Sequence, residues 1–351
     1  AERFLFNLIS NGLRGQFNNS VISLMSEGYY GNLLKKKKVP VFSLNMKRGQ
    51  INFLALKKLR QILIDQKPDI IQGWMYHGNL AALLGCIMIK KKTKLSWTIR
   101  LSLEIYKRMK LTTRLAIKLG SLLSRIPDLI IYNSNRSLKQ HRSIGYNKEN
   151  DFSIPNGFDV KVWKPDNKIR FNLRKKLNIS NYTKVIGYVG RGDDQKDIPT
   201  LFEAFDKVCK KHTNVVLLTI GRNLKKYKTD NKNIIFLGQQ SNVHNLMKAF
   251  DLLCLSSKAE GFPNVIGEAM STGIPCVTTD VGDAKNIVGE TGWISPPNDP
   301  ISLANSLDNA LKNSQEKLKK YGQSARKKII NNFSIDDVKN QYISLYNSTL
   351  D

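Results

Sequence analysis

The sequence has few cysteines, no long apolar run and no visible secretory signal. Its four cysteines lie far apart in apolar surroundings and form no C-x-x-C pair, which favours reduced core thiols over disulfides or a metal site. The longest apolar runs, such as residues 80–89, are about half the length that crosses a bilayer. Together these absences predict a cytoplasmic protein.

Acidic residues are scarce in the first half of the chain. Residues 1–150 hold 27 Lys and Arg against 7 Asp and Glu, so they carry most of the formal charge of +28. This asymmetry indicates an anionic partner, such as phospholipid head groups, lipid diphosphates or nucleic acid, or else a source that favours lysine and asparagine. Because we find no helix-turn-helix, zinc-ligand spacing or ribonucleoprotein motif, we favour a membrane surface and expect no nucleic acid.

The length of 351 residues predicts two domains, since it exceeds the usual size of one core. Apolar strand patterns alternate with helical patterns throughout, which is typical of parallel α/β sheets. We place the first domain at 1–163 and the second at 178–334, with the polar, basic stretch 163–177 as a linker. Within the first domain, residues 101–125 form a basic amphipathic pattern that fits either a domain helix or a helix lying in a lipid interface.

The second domain contains a glycine turn directly after an apolar strand at 184–189. Gly190 would let the backbone approach a phosphate, and Arg191 with Lys196 could bring two charges to a diphosphate. Another strand precedes Glu260. Ligands of open parallel sheets bind at the carboxyl ends of strands, so we expect Arg191 and Glu260 to line one crevice.

Two carboxylates, Glu260 and Glu268, flank a Gly-Phe-Pro-Asn turn within residues 256–275. Pro263 suits the first turn of a helix, and the backbone N–H groups before and within that turn would attract an anion. Carboxylates accept hydrogen bonds only from groups such as hydroxyls or cations. The predicted ligand therefore combines phosphate with sugar hydroxyls.

The segments EGFPNVIGEAMSTGIPCVTTDVG, VGRGDDQKD, IPNGFD and the opening AER together resemble glycosyltransferase family 4, the retaining nucleotide-sugar enzymes of GT-B fold. The resemblance implies an α/β protein with two Rossmann-like domains whose parallel sheets face each other across a cleft. It also implies that residues 335–351 form a last helix that returns to the first domain. No metal and no cofactor are expected, because cations of the protein would stabilise the departing diphosphate.

Residue roles follow from the same resemblance. Glu268 would bind the donor ribose, Glu260 would contact hydroxyls of the transferred sugar, and Arg191 with Lys196 would hold the diphosphate. The expected catalytic residues are His77, Arg191, Lys196 and Glu260. The expected donor-binding residues are Gly190, Gly261, Phe262, Pro263, Asn264 and Glu268.

The resulting prediction is a hexosyltransferase that uses a nucleoside diphosphate sugar, a UDP-sugar by preference, with retained anomeric configuration. Its acceptor would be a lipid-linked or polysaccharide glycan of cell-envelope or lipopolysaccharide biosynthesis, and the enzyme would be peripheral on the inner face of the plasma membrane. Two alternatives stay open at this point. They are a sugar-nucleotide epimerase of the same fold and a non-enzymatic basic protein that binds membrane surfaces.

Several positions depart from the family pattern. The chain starts at Ala1, where relatives first have a strand and a glycine-rich loop, so we expect a truncated sequence. Arg100 replaces a common histidine near the reacting sugar, and Asn286 replaces a common glutamate. Among the histidines, His77 resembles a family residue that faces the donor, although a capping or core role also fits it. We expect solvated roles for the other three, His141, His212 and His244.

Overall fold

Two units make up the chain in the computed structural model, which describes residues 1–47, 52–89, 92–227 and 229–351. The first unit contains Ala1–Gly157 together with Ile335–Asp351, and the second contains Phe158–Ser334. The last helix therefore belongs to the first unit. The second unit begins at Phe158, earlier than the boundary at 163 that we placed from sequence.

The first unit contains two parallel sheets among its described residues. One pairs β1 with β2, and the other has the strand order β3-β4-β5-β6. Its strands are β1 (Val21–Ser23), β2 (Val41–Ser43), β3 (Ile70–Trp74), β4 (Lys94–Ile99), β5 (Leu129–Tyr132) and β6 (Asp151–Ser153). Its helices are α1 (Glu2–Ser10), α2 (Gly28–Lys36), α3 (Phe53–Gln66), α4 (Met75–Met88), α5 (Leu111–Leu123), α6 (Asn135–Ser143) and α14 (Ile335–Leu350).

The second unit is built on one six-stranded parallel sheet of order β12-β11-β10-β7-β8-β9. Its strands are β7 (Lys184–Val189), β8 (Val215–Ile220), β9 (Ile234–Gly238), β10 (Leu252–Leu255), β11 (Cys276–Thr279) and β12 (Trp293–Ser295). Its helices are α7 (Asn167–Lys176), α8 (Ile198–Cys209), α9 (Val243–Leu246), α10 (Asn264–Ser271), α11 (Ala284–Val288), α12 (Pro300–Leu311) and α13 (Gln315–Asn332).

The strand order of the second unit reverses between β7 and β10. Read from β7, it is the doubly wound order of dinucleotide-binding folds, in which the chain first moves to one side of the starting strand and then to the other. Helices cover both faces of the sheet, because the central strands bury side chains on each side, as Val185 and Ile186 do. The prediction of parallel α/β architecture is thus confirmed.

The polar stretch 163–177 is not a linker, so that prediction was wrong. It contains α7, which packs on the second unit through two arginines. Arg174 is fully buried, donates from Nη2 to Asp251 at 2.5 Å and donates from Nε to the Ala249 carbonyl at 3.1 Å. Arg170 reaches the other carboxylate oxygen of Asp251 at 2.6 Å. Arg170 and Arg174, whose basic surroundings suggested a solvated linker, instead form ion pairs with the largely buried carboxylate of Asp251.

The amphipathic stretch 101–125 is helical only in its second part. Residues 106–108 form a single 3₁₀ turn, and α5 begins at Leu111. The inner face of α5 buries Ala116, Ile117 and Gly120. No helix among the described residues is both long enough and apolar enough to span a bilayer.

His141 is buried in the core of the first unit, and the expectation of a solvated role for it was wrong. Its Nδ1–H donates to the Ser137 carbonyl at 2.7 Å, which leaves Nε2 to accept a hydrogen bond from the Tyr76 hydroxyl at 2.9 Å. Burial lowers the pKa of His141 to about 4. The imidazole is therefore a neutral bridge between α6 and α4.

This bridge predicts a pH dependence of the first unit's stability. The folded-state pKa of His141 lies below the unfolded value of 6.5, so the unfolded chain binds the proton first as the pH falls. The free energy of unfolding should fall by about 3 kcal/mol between pH 6.5 and pH 4, and stay constant above that window as far as His141 is concerned. Urea unfolding followed by circular dichroism at several pH values measures it.

The matched comparison is between His141→Gln and His77→Gln. The first variant keeps hydrogen-bonding capacity without a titrating ring and should flatten the pH profile. The second removes an exposed histidine from the same unit and should leave the profile as in the parent protein. Parallel pH profiles for His141→Gln and the parent protein would contradict the assignment.

Candidate functional site

The candidate site lies at the carboxyl ends of β7 and β10. These two strands pair in parallel, with Ile186 opposite Leu252 and Gly187 opposite Leu253, although 62 residues separate the end of β7 from the start of β10 along the chain. They are the strands at which the sheet order reverses. The loops that follow them therefore diverge and leave a crevice, which is where open α/β sheets bind ligands. As predicted, Arg191 follows one of these strands and Glu260 follows the other.

Glycines shape the turn after β7. The backbone N–H of Gly190 donates to the Ile220 carbonyl at 2.9 Å, and that of Gly192 donates to the Arg222 carbonyl at 2.8 Å. Gly221 has a φ of +151°, and a Cβ there would lie 1.8 Å from the Gly190 carbonyl oxygen. Backbone approach this close requires glycine, so the turn presents main-chain atoms instead of side chains at the strand end.

Three hydrogen bonds that involve main-chain atoms tie the single 3₁₀ turn 194–196 to the segment after β10. The Gln195 side-chain amide donates to the Ala259 carbonyl at 2.7 Å, and the backbone N–H of Lys258 donates to the Gln195 carbonyl at 2.8 Å. The Ser256 hydroxyl donates to the Lys196 carbonyl at 2.9 Å. These bonds hold Lys196 beside the loop that carries Glu260.

Lys196 and Glu260 form an ion pair, with Nζ 2.5 Å from Oε1. The same oxygen accepts a hydrogen bond from the Ser257 hydroxyl at 2.7 Å. The side chains of Lys196 and Glu260 are only 16% and 11% exposed, so solvent screens the pair weakly. The sequence predicted both residues for this site, and the structure brings them into direct contact.

Arg191 differs from Lys196 in its surroundings. Its side chain is 55% exposed and lies 3.2 Å from a carboxylate oxygen of Asp193. Asp194 is 3.3 Å from the ammonium of Lys258. Both aspartates of the turn therefore face cations of neighbouring residues, and Arg191 is placed at the rim of the crevice.

Helix α10 starts immediately after the loop of Glu260. Pro263 is its N-cap, one position earlier than the first-turn position predicted from sequence, and Asn264 is the first helical residue. Gly261 and Pro263 are buried, as is Phe262, whose ring packs against Phe158 and Phe333 with centroids 6.1 and 6.0 Å apart. This aromatic packing fixes the helix start, whose backbone N–H groups and dipole favour an anion.

Glu268 lies in the second turn of α10 and is 6% exposed. The helix ends at Ser271, Gly273 follows with a φ of +77°, and the Ile274 N–H donates back to the Ala269 carbonyl at 2.9 Å. Because α10 is held at both ends, the buried carboxylate of Glu268 has a fixed place on the helix. The structure thus places it on the same helix-and-loop segment as Glu260.

His77 belongs to the first unit, where it is exposed in the first turn of α4. Two features fix this turn. Met75 has a φ of +66°, which is unusual outside glycine, and the buried Asn79 amide pairs with the backbone of Thr98, at 3.2 Å for its oxygen and 3.4 Å for its nitrogen. A role of His77 toward the donor stays a prediction.

Arg100, also in the first unit, is buried against aromatic rings. Its guanidinium carbon lies 4.1 Å from the centroid of Phe4 and 5.3 Å from that of Trp74. Burial lowers the pKa of Arg100 from its usual value. The residue that departs from the family pattern thus packs by cation–π contact.

Sequence reasoning missed three residues that shape the site. Ser257 supports Glu260, and Gln195 anchors the turn of Lys196. Gly282, at a φ of +50°, lets the loop after β11 approach the Glu260 and Gly261 carbonyls, which a Cβ would meet at 2.4 and 2.5 Å. Ser257 stands three residues before Glu260, a spacing that could have suggested a local hydrogen bond. The other two contacts link distant segments and have no local signal.

Within the described ranges, no group of three or more His, Cys, Asp or Glu side chains is arranged to hold a metal ion. The charged groups at the strand ends are instead the cations and carboxylates described above. The doubly wound sheet places this chain in the class of α/β proteins whose ligands bind at the switch point, which is where the Lys196–Glu260 pair lies.

Comparison with known proteins narrows this class. The family model described as Glycosyltransferase Family 4 matches residues 1–162, and the model described as Glycosyl transferases group 1 matches residues 169–328. The two models together extend over both units. The chain belongs to this family of glycosyltransferases, and its fold is that of GT-B enzymes.

Individual relatives agree with this assignment. The capsular polysaccharide biosynthesis glycosyltransferase CapM of Staphylococcus aureus is 29% identical over an alignment of 331 positions that covers 87% of this chain and 84% of CapM. The UDP-Gal:alpha-D-GlcNAc-diphosphoundecaprenol alpha-1,3-galactosyltransferase of Escherichia coli is 29% identical over 209 residues, about half of each chain. Anabaena HepE in complex with UDP-glucose superimposes with a TM-score of 0.82 at 22% identity, covering 99% of this chain and 95% of HepE, and shares the fold.

The geometry of the site predicts a measurable coupling between Lys196 and Glu260. A double-mutant cycle of Lys196→Met and Glu260→Gln should give a coupling free energy of about 1 to 3 kcal/mol in urea unfolding, because the pair is largely buried and charge-assisted. A matched cycle on the exposed helix pair Lys207 and Glu203, at 3.5 Å, should give about 0.3 to 0.5 kcal/mol. Equal coupling in the two cycles would mean that the Lys196–Glu260 contact is no stronger than a surface pair.

Proposed function

We propose that this protein transfers a hexosyl unit from a nucleoside diphosphate sugar, with a UDP-sugar as the preferred donor, to an acceptor hydroxyl with retained anomeric configuration. The observation that carries the proposal is the Lys196–Glu260 ion pair at the switch point of the second unit's sheet. It sets a cation suited to phosphate and a carboxylate suited to hydroxyls side by side, and such a donor contains both groups.

The diphosphate would bind where positive charge collects. Lys196 would give up part of its contact with Glu260 to a phosphate oxygen, and the exposed Arg191 would add a second cation from the rim. The start of α10 would offer backbone N–H groups to the remaining phosphate oxygens, and the glycine turn at Gly190, whose own N–H donates to Ile220, would let the main chain approach them closely. Negative charge grows on the diphosphate as it leaves, so these groups would stabilise the transition state more than the ground state.

The two carboxylates would hold the donor's hydroxyl groups. Glu260, kept in place by Ser257, would accept hydrogen bonds from hydroxyls of the transferred sugar, and Glu268 would accept those of the ribose. Both side chains are mostly buried, which strengthens hydrogen bonds to them. Phe262, Pro263 and Asn264 would shape the wall between the two sugars through the helix start.

The chemical step would exchange one bond for another at the anomeric carbon. The bond from that carbon to the diphosphate oxygen breaks, the bond to the acceptor oxygen forms on the same face, and the acceptor proton passes to the departing diphosphate. This route needs neither a covalent enzyme intermediate nor a metal ion, because Lys196 and Arg191 meet the developing charge.

The acceptor we propose is a lipid-linked or polysaccharide glycan of the cell envelope. Two of the relatives support this choice by name, since one acts in capsular polysaccharide biosynthesis and another on a diphosphoundecaprenol-linked sugar. The excess of basic residues in the first half of the chain suits an anionic membrane surface on which such an acceptor is displayed. The protein would then work in the cytoplasm, peripheral on the inner face of the plasma membrane.

The role of Lys196 can be tested by steady-state kinetics with a panel of UDP-sugars in the presence of EDTA. Lys196→Met should lower kcat by about a hundredfold or more, since it removes a cation from the leaving group. Lys207→Met, which removes an exposed lysine of the same unit, should leave kcat unchanged. A Lys196→Met variant with parental kcat would refute the role of Lys196. A protein that epimerises the donor and transfers nothing to an acceptor would refute the proposed reaction.

His77 provides an independent test. His77→Ala should lower turnover strongly if the ring acts on the donor, while the free energy of unfolding should stay within about 0.5 kcal/mol because the side chain is exposed. His244→Ala is the control, since that histidine lies outside the proposed site. Unchanged turnover in His77→Ala would return the residue to a structural role at the start of α4.

A further inference from the structure

Helix α5 exposes a row of leucines that no part of the described chain covers. Leu111, Leu115, Leu119 and Leu122 are 67%, 56%, 45% and 79% exposed. At about 100° per residue they fall within an arc of about 80°, so they form one stripe along the helix. Ile126, just past the helix end, is 53% exposed and extends the row. We call these five side chains the leucine stripe.

The stripe is not the face by which α5 packs on its own unit. That inner face buries Ala116, Ile117 and Gly120, and a Cβ at Gly120 would lie 2.4 Å from the Tyr146 hydroxyl oxygen. The helix is therefore apolar on two faces. One face is satisfied by the core, and the other needs a separate explanation, since large exposed apolar clusters mark interaction sites.

Exposed apolar side chains are concentrated in the leucine stripe. Of the 20 large apolar side chains found exposed among the described residues, five belong to the leucine stripe, and they lie within 16 consecutive positions. The remainder are spread over both units. Scattered exposed apolar residues are ordinary on protein surfaces, whereas a row on one helix is not.

Positive charge borders the stripe. Arg114 and Lys118 follow one another along one edge of the helix, Arg125 lies just past its end, and Lys107 and Lys110 lie in the segment just before it. Helix α5 itself contains no acidic residue. An apolar stripe with a cationic edge matches the boundary between acyl chains and anionic head groups, where leucines enter the hydrocarbon and long basic side chains reach the phosphates.

We propose that the leucine stripe docks the first unit onto an anionic phospholipid bilayer, with α5 lying parallel to the membrane plane. A second copy of this chain is a poorer occupant, because pairing would bring two cationic edges together. The stripe is also small. Its 13-residue helix is about 20 Å long, so one face of it offers far less than the about 800 Å² per partner of a stable protein interface.

Membrane docking by the leucine stripe adds a surface to the proposed function, and it rests on that function only for the lipid-linked acceptor. Docking itself is measured without donor or acceptor. A failed transfer assay and a failed docking assay are therefore separate results.

The test is flotation of the full chain with vesicles of phosphatidylcholine alone and with mixed phosphatidylcholine–phosphatidylglycerol vesicles. We expect binding to the mixed vesicles that weakens as salt is raised. The double variant Leu115→Gln with Leu122→Gln should reduce the partition constant by about tenfold or more, because two apolar side chains no longer enter the interface. Glutamine keeps the helix propensity high, and both positions are exposed, so circular dichroism should be unchanged.

Two further variants separate the contributions. Lys118→Gln with Arg125→Gln should weaken binding to the mixed vesicles and reduce its salt dependence. Ile301→Gln, at a 60% exposed position on α12 of the second unit, is the matched control and should bind as the parent protein does.

Three outcomes would overturn the proposal. The first is a parent protein that does not bind mixed vesicles, and the second is a leucine double variant that binds them as tightly as the Ile301→Gln control. The third is a parent dimer in light scattering that the leucine double variant converts to monomer without a change in vesicle binding, which would assign the stripe to a second copy.

Discussion

The ion pair between Lys196 and Glu260 is the contact on which the candidate site depends. It joins the loops that follow two adjacent strands at the point where the sheet order reverses, so it spans the crevice that the fold creates. A largely buried ammonium or carboxylate is costly without a partner, and each of these two groups supplies the other's. The pair therefore keeps a cation at the strand ends. In the proposed donor complex a phosphate would compete for a charge that is already in place, which is a form of preorganisation.

The pair is held from both sides by neutral hydrogen bonds. Gln195 and Ser256 fix the turn that carries Lys196, and Ser257 fixes the carboxylate of Glu260. Tyr188, whose pKa burial raises well above its usual value, stays a neutral phenol beneath this turn and donates to the Arg191 carbonyl at 3.3 Å. Since none of these supports carries a charge near neutral pH, they position the ion pair and would not compete with it for the phosphate of the proposed donor.

The parts of the structure that could be predicted from sequence are those with local signals. Strand β7 is a short, mostly apolar run followed by a glycine turn, and its observed limits are the predicted 184–189. The parallel sheet then brings distant strand ends together, which is why Arg191 and Glu260 could be assigned to one crevice before their distance was known. By contrast, Arg174 in α7 stands beside Lys175 and Lys176 in the sequence, which suggests a solvated side chain. Its partner Asp251 is 77 residues away, and nothing near Arg174 announces it.

His141 illustrates the same limit from the other direction. Its neighbours in sequence, Gln140 and Arg142, are polar, and a helix with that composition looks exposed. The ring is nonetheless buried, because one face of α6 meets Tyr76 from α4, a residue 65 positions earlier, and the phenol satisfies the nitrogen that burial would otherwise strand. A polar side chain becomes a core residue whenever tertiary structure provides a partner for each of its polar atoms. Periodicity shows which side of a helix is apolar, but only the fold determines which polar atoms find partners. Helix α5 is apolar on two sides, so periodicity also cannot show which of its apolar faces meets the core.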